Sequence, residues 1–345
     1  MAPWLELPYE INNVTDEEDK LIKKILIGYS SKFVKCGKHG YVMPGSFKKH
    51  AEAIYNMEVR PDDVWVITFP RSGTTWTQEL IWLLKNNLDY ATAKSIPLYE
   101  RFPMLELTSK IPDIAFELIK TNFMNLGNFQ GLGAAARCPS WKRIENAPSP
   151  RFIKTHLPLS LLPPKLLSTA KVVYVGRDPR DVAVSYYYLH KMVAKTLLRS
   201  GFPTFWEVFR RDLLPWTPII SHTNEAWMKR HEPNLHFIFY EDMIKDLPTQ
   251  IRRMCKFLGK EYTEEQIKQL SVHLSFDSLR KNKSVNNTTG DAVNGVQFVR
   301  KGEAGGWKTH FDQKMEIQAE EFIIARLRGL DLIYPSFLTE ETTHL

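Results

Sequence analysis

The segment Thr68-Phe69-Pro70-Arg71-Ser72-Gly73-Thr74-Thr75-Trp76 has the residue types of an anion cradle. It follows an apolar run and opens a helical pattern. A tight Gly/Ser/Thr turn in that position aims successive backbone N–H groups, and the positive end of the helix, at one point, which suits phosphate. Ser72, Thr74 and Thr75 add hydroxyls, and Arg71 adds a cation. An ordinary strand-to-helix turn capped by Ser or Thr has the same composition. The loop departs from the G-x-x-x-x-G-K-[ST] pattern, because Gly73 is followed by Thr74 rather than Lys and the position five before it is Thr68.

Three further segments carry candidate chemistry. In Gly176-Arg177-Asp178-Pro179-Arg180-Asp181, Asp178 is a good N-cap and Pro179 a good first helical residue, so a helix starts at the carboxyl end of a strand. Open parallel sheets bind ligands at that edge. Arg177 can reach an anion there, and Ser185, about two turns into the helix, can add a hydroxyl. Equally, Arg177 can simply pair with Asp181. In Phe298-Val299-Arg300-Lys301-Gly302-Glu303-Ala304-Gly305-Gly306-Trp307-Lys308, Arg300 and Lys301 beside three glycines suit close approach to a phosphate, or a solvated basic loop. His156, in Lys154-Thr155-His156-Leu157-Pro158, is the candidate base: its ordinary pKa lies near neutrality, and Lys154 sits two residues earlier on the same side. A structural histidine is the alternative.

The elements that must position these groups alternate strand with helix. Val64–Phe69, Arg151–Thr155, Lys171–Gly176 and Leu235–Tyr240 read as strands, short and rich in β-branched or aromatic residues. Three of them are continuously apolar, as strands covered on both faces are. Helical patterns run over Thr75–Asn86, Pro179–Met192, Phe205–Lys229 with a break at Pro215, and Pro248–Leu258. Upstream, Thr15-Asp16-Glu17-Glu18 reads as a capping box. It opens a helix whose apolar face is Leu21, Ile22, Ile25 and Leu26, with Gly28 to end it, and a second helix follows over His50–Met57. The reading is an α/β fold, one domain with a central parallel sheet flanked by helices. Ser95–Pro112, Asn125–Ser149 and Lys281–Val296 read as loops suited to a lid or a binding pocket.

Composition narrows the class. The 345 residues hold 46 Lys and Arg against 39 Asp and Glu, a net charge of +7, which suits an anionic small ligand and is too small to establish a nucleic-acid surface. Three dispersed cysteines, Cys36, Cys138 and Cys255, with no C-x-x-C, argue against a disulfide scaffold and a cysteine zinc site. The first residues show no signal-peptide pattern, and no apolar run reaches the ~18 residues of a membrane span, so a cytoplasmic protein with no membrane span and no metal is expected.

Together TFPRSGTTW, KTHLPLSLLP, YVGRDPRDVAVSYYYL, FYEDMIKDLP and FVRKGEAGGWK, in this order, resemble the cytosolic sulfotransferase family over nearly the whole chain. The resemblance implies one α/β sulfotransferase domain over residues 61–335, with residues 1–60 a helical segment packed on it. It implies 3′-phosphoadenosine 5′-phosphosulfate (PAPS) as sulfuryl donor, 3′-phosphoadenosine 5′-phosphate (PAP) as product, and a hydroxyl on a small lipophilic molecule (a phenol, steroid or retinoid-like alcohol) as acceptor. By motif, Arg71–Trp76 is the P-loop-like phosphosulfate loop, and Arg177, Ser185, Arg300, Lys301 and Gly302 hold the 3′-phosphate, with Phe298 beside them. Trp76 and Phe276 sandwich the adenine, Tyr240 contacts the purine, His156 is the base and Lys154 lies beside the sulfuryl group.

Three positions depart from the family pattern. Arg71 stands where the family loop usually has Lys; arginine stays charged and forked, so it can clamp a leaving phosphate but hardly donates a proton. A similar arginine loop occurs in retinol dehydratase, an arthropod member with the same donor, so sulfonation followed by elimination of an allylic alcohol is an alternative outcome. Leu274 stands where many relatives have a threonine that contacts adenine, and the K-x-x-x-T-V-x-x-x-E pattern associated with homodimers is not evident in Trp307–Glu320. From other classes, a P-loop kinase and a non-catalytic nucleotide or nucleic-acid binder remain as alternatives, the first weakened by the missing Lys and the second by the dispersed cations.

Overall fold

The computed structural model describes residues 4–26, 29–110, 138–193, 201–286 and 302–337. At its centre four parallel strands, β4 (Val64–Thr68), β5 (Phe152–Thr155), β6 (Lys171–Gly176) and β7 (Leu235–Phe239), lie in the order β5-β4-β6-β7. The register sets Ile67 beside both Thr155 and Tyr174, and Gly176 beside Phe239, so the four carboxyl ends finish close to level. Alternate residues feed two different cores. Trp65, Ile67, Ile153, Val172 and Tyr174 join the cluster on one face, whereas Val64, Val66, Phe152, Val173 and Val175 join the cluster on the other. Burial on both faces is why β4, β6 and β7 read as mostly apolar runs.

Helices cover the sheet as the sequence implies. Thr74–Lys85 follows β4 and Pro179–Val193 follows β6. The expected Phe205–Lys229 pattern is two helices, Phe202–Arg210 and Ile219–Trp227, separated by a stretch that includes Pro215. The later helix Leu247–Leu258 is capped by Asp246, which accepts the Thr249 N–H. Two buried carboxylates brace the scaffold: Asp63 pairs with Arg151 at 2.5 Å, and Glu79 pairs with Arg101 at 2.7 Å and contacts His273 at 2.9 Å.

The helical expectation for residues 1–60 is incomplete. The Thr15–Glu18 capping box and the Asp16–Lys23 helix are present, with Ile22, Ile25 and Leu26 buried. Gly28, the expected end of that helix, lies outside the described residues. The expected His50–Met57 helix is one turn, Ala51–Tyr55, after a short 3-10 helix. Around them runs an antiparallel sheet, β1 (Ile11–Asn13), β2 (Val34–Cys36) and β3 (Tyr41–Met43), each only three residues long and so too short for an alternation pattern. Val14, Ile22, Phe33 and Val34 share one buried cluster with Trp65 and Ile67. Among the described residues, no helix is long and apolar enough to cross a membrane.

Candidate active site

The turn after β4 is built for close approach. Gly73, the N-cap of the Thr74–Lys85 helix, has φ 103°, and a Cβ there would lie 2.8 Å from Cδ2 of Tyr240. Both the backbone conformation and the space therefore require glycine. Arg71 also has positive φ, 74°. No side chain caps this helix, and Thr77 is the first residue whose N–H reaches back, to the Gly73 carbonyl at 3.1 Å. The N–H groups of Thr74, Thr75 and Trp76 thus belong to an uncapped first turn, where the positive end of the peptide dipoles emerges. Ser72 is buried, its N–H donating to Phe69 O at 3.2 Å.

His156 lies at the carboxyl end of β5, 7 % exposed, held by buried groups from three directions. Its N–H donates to Glu106 Oε1 at 2.8 Å, and its carbonyl accepts from His222 Nε2 at 2.8 Å. Its Nδ1 meets Thr68 O at 2.8 Å and Thr68 Oγ1 at 3.1 Å. A carbonyl oxygen can only accept, so Nδ1 carries the proton and the lone pair of the neutral ring is on Nε2. Thr68 Oγ1 also touches Thr74 Oγ1 at 2.7 Å, linking the histidine to the first turn of the loop helix. Glu106 further accepts from Thr155 Oγ1 at 2.8 Å, and burial pushes its carboxyl above the ordinary range. Lys154 pairs with Val66 in the sheet and is half-buried near Glu106.

The strand end of β6 supplies Arg177, which serves the scaffold as well as the site. It donates to Arg71 O at 3.0 Å and Glu303 O at 2.9 Å, lies 4.0 Å from Asp181 Oδ2, and covers the Tyr240 ring at 4.0 Å. The structural reading of this arginine, pairing with Asp181, therefore has geometry behind it. Arg71 Nε donates to Ser185 Oγ at 3.0 Å. Asp181 accepts the N–H groups of Gly305 and Trp307 at 2.7 and 3.0 Å, anchoring the glycine-rich segment to the helix after β6. Burial raises the Asp181 carboxyl despite Arg177, and lifts Glu241, which accepts the Asp178 N–H, to about 7.

Tyr240 is buried beneath the turn, edge-on to Trp76 at 5.7 Å. Gly302 has φ 69°, and a Cβ on it would fall 2.3 Å from the Phe276 ring, so the glycine backbone lies directly on that ring. Leu274, which stands where many relatives have a threonine, is fully buried in the apolar cluster that also holds Leu270 and Leu279. Phe298, Arg300 and Lys301 lie outside the described residues. Sequence reasoning missed Glu106 and His222. Glu106 sits in the proline-bearing stretch Ser95–Pro112 read as a loop, which holds short helices at Leu98–Arg101 and Leu107–Lys110; an acidic residue set between two leucines was the available signal.

An uncapped helix start after β4 thus stands beside a histidine at the end of the adjacent strand β5, its ring proton held by Thr68 O. Residues 61–331 match the family model of the sulfotransferase domain, and the chain belongs to that family. It is 33 % identical over 296 residues to sulfotransferase 1 family member D1 of Mus musculus, covering 84 % of this chain and 92 % of the relative. It is 30 % identical over 347 residues to the luciferin sulfotransferase of Photinus pyralis, covering 96 % and 88 %. Among solved structures, retinol dehydratase in a complex with retinol and PAP matches with TM-score 0.88 and 41 % identity, covering 96 % of this chain and 100 % of the other. The chain is thus a sulfotransferase with PAPS as donor and PAP as product. The residues fit such a donor: among the described residues, Arg177 Nε and Trp76 Nε1 are buried donors without a partner.

Proposed function

We propose that the chain transfers the sulfuryl group to a hydroxyl of a small lipophilic molecule, with His156 as general base. The observation that carries the reading is the Nδ1–H to Thr68 O bond, which leaves the Nε2 lone pair as the proton acceptor one strand away from the Arg71–Trp76 turn. When bound, the donor supplies the sulfuryl group and its phosphate oxygen takes the electron pair of the broken S–O bond. His156 Nε2 takes the acceptor O–H proton as the new S–O bond forms, a contribution of about 10²–10⁴-fold. Arg71 and the first-turn N–H groups stabilise charge on the leaving phosphate, Arg177 and Ser185 hold the 3′-phosphate with Arg300, Lys301 and Gly302, and Lys154 steadies the sulfuryl oxygens. Trp76, Phe276 and Tyr240 form the base pocket, with Phe298 beside it.

The retinol-bound relative makes an isoprenoid alcohol the first acceptor to try. The same relative, together with Arg71 in place of the family lysine, favours a second outcome in which the sulfate ester of an allylic alcohol eliminates to an alkene. A cytoplasmic location and one sulfotransferase domain over residues 61–335 complete the reading. The test is His156→Ala assayed with labelled PAPS against phenols, steroids and retinol, with product mass to separate ester from alkene. Transfer is lost while PAP binding persists; normal turnover by the variant removes His156 from the role.

A further inference from the structure

We infer that His222 is a positioning residue for the transfer, fixing the peptide unit from which His156 projects, and that Tyr174 fixes His222 in turn. The inference rests on His156 being the base. His222 lies in the Ile219–Trp227 helix, 66 residues from His156, with none of its surface exposed. Its Nε2 is 2.8 Å from His156 O, and its Nδ1 is 2.8 Å from the Tyr174 hydroxyl. The carbonyl can only accept, so Nε2 carries the proton, Nδ1 holds the lone pair, and the Tyr174 O–H donates to it. The chain of donors runs one way, from β6 through the helix to the end of β5, and a single neutral tautomer satisfies it.

With this contact every polar backbone group of His156 has a buried partner. Glu106 takes the N–H and His222 supplies the hydrogen bond to the carbonyl, while Thr68 O takes the ring proton. Two elements far apart in sequence thereby bracket the Cα of the base. Placement of this kind matters because about 1 Å of error at a reacting group can cost about 10²-fold in rate. The surroundings suit a neutral ring: burial pushes the His222 imidazole below its ordinary value. Facing it are Tyr174 from β6 and the Tyr41 and Phe69 rings at 6.1 and 5.8 Å, with Glu225 one turn further along its own helix. An apolar residue here would leave the His156 carbonyl and the Tyr174 hydroxyl buried without this partner, so a stability cost is expected beside the kinetic one, and the split between kcat and PAP affinity separates the two. What the apolar residue lacks is the N–H for the His156 carbonyl.

The test compares His222→Phe, His222→Gln and Tyr174→Phe in the full chain. It reads kcat with PAPS and 2-naphthol, androsterone or retinol, and PAP affinity by calorimetry. His222→Phe should lower kcat about 10- to 100-fold with PAP Kd changed by no more than about twofold. His222→Gln, whose Nε2 can reach the same carbonyl, should recover most of the loss, and Tyr174→Phe should lower kcat less, in the same direction. Wild-type kcat in His222→Phe overturns the inference, as does a fall in PAP affinity as large as the fall in kcat. If His222→Phe does not fold, a folded Tyr174→Phe enzyme decides: reduced kcat supports the inference and unchanged kcat overturns it. The parent reading fails separately, through an active His156→Ala variant.

Discussion

Arg71 Nε donates to Ser185 Oγ at 3.0 Å, joining the turn after β4 to the second turn of the helix after β6. The two groups proposed for opposite phosphates of one donor are therefore hydrogen-bonded to each other. Ser185→Ala should weaken PAP binding about tenfold, the cost of losing one hydrogen bond to a charged group. Titration calorimetry reads it, and unchanged affinity would leave Ser185 a helix residue only.

Arg71→Lys should retain or raise turnover, since a clamp needs charge and a lysine can in addition pass a proton to the leaving oxygen. Steady-state kinetics with a fixed acceptor checks this; complete inactivity would mean that the guanidinium fork is required.

Gly73→Ala puts a methyl 2.8 Å from Tyr240 on a backbone at φ 103°. Strain of this kind costs about 1–3 kcal/mol, and the Tyr240 ring or the turn must shift. Chemical denaturation should show the loss of stability, and PAP affinity should fall by at least about tenfold if the turn moves out of register.

Glu241 gives a pH prediction. Its folded carboxyl is raised from 4.5 to about 7, chiefly by burial, so the folded chain holds a proton that the unfolded chain has released. That contribution is complete below the ordinary carboxylate range and is lost as pH rises through about 7. Glu241→Gln, which keeps an acceptor for the Asp178 N–H, should raise Tm by roughly 2–4 °C more at pH 8 than at pH 5. Equal gains at both pH values would contradict the assignment.

Arg101→Met leaves Glu79 buried with His273 as its remaining ionisable partner. The expected loss is about 3–5 kcal/mol. Adding Glu79→Gln should restore part of it in a denaturation series.

Much of this architecture is legible in the chain because its signals are local. The β4, β5, β6 and β7 runs are short, apolar and followed by turn or capping residues, and each was located to within about a residue of its ends. The antiparallel strands β1 to β3 were not, because three residues cannot display a period. Likewise, the turn at Arg71–Trp76 and the helix start at Asp178-Pro179 are written in consecutive residues. Contacts across 50 or 66 positions, such as Glu106 and His222 on His156, leave no trace in spacing. Leu274, read as a departure from the family pattern, lies in the buried core, and the neighbouring Phe276 lies under Gly302.

The strand order β5-β4-β6-β7 sets four loop starts along one edge of the sheet. His156, the Arg71 turn, Arg177 and Tyr240 follow the ends of those strands in that order, yet they fold onto one another: Arg177 lies on the Tyr240 ring at 4.0 Å, and a Cβ on Gly73 would fall 2.8 Å from Tyr240. A substitution in one of these loops therefore presses directly on the next, and the edge responds as one packed block.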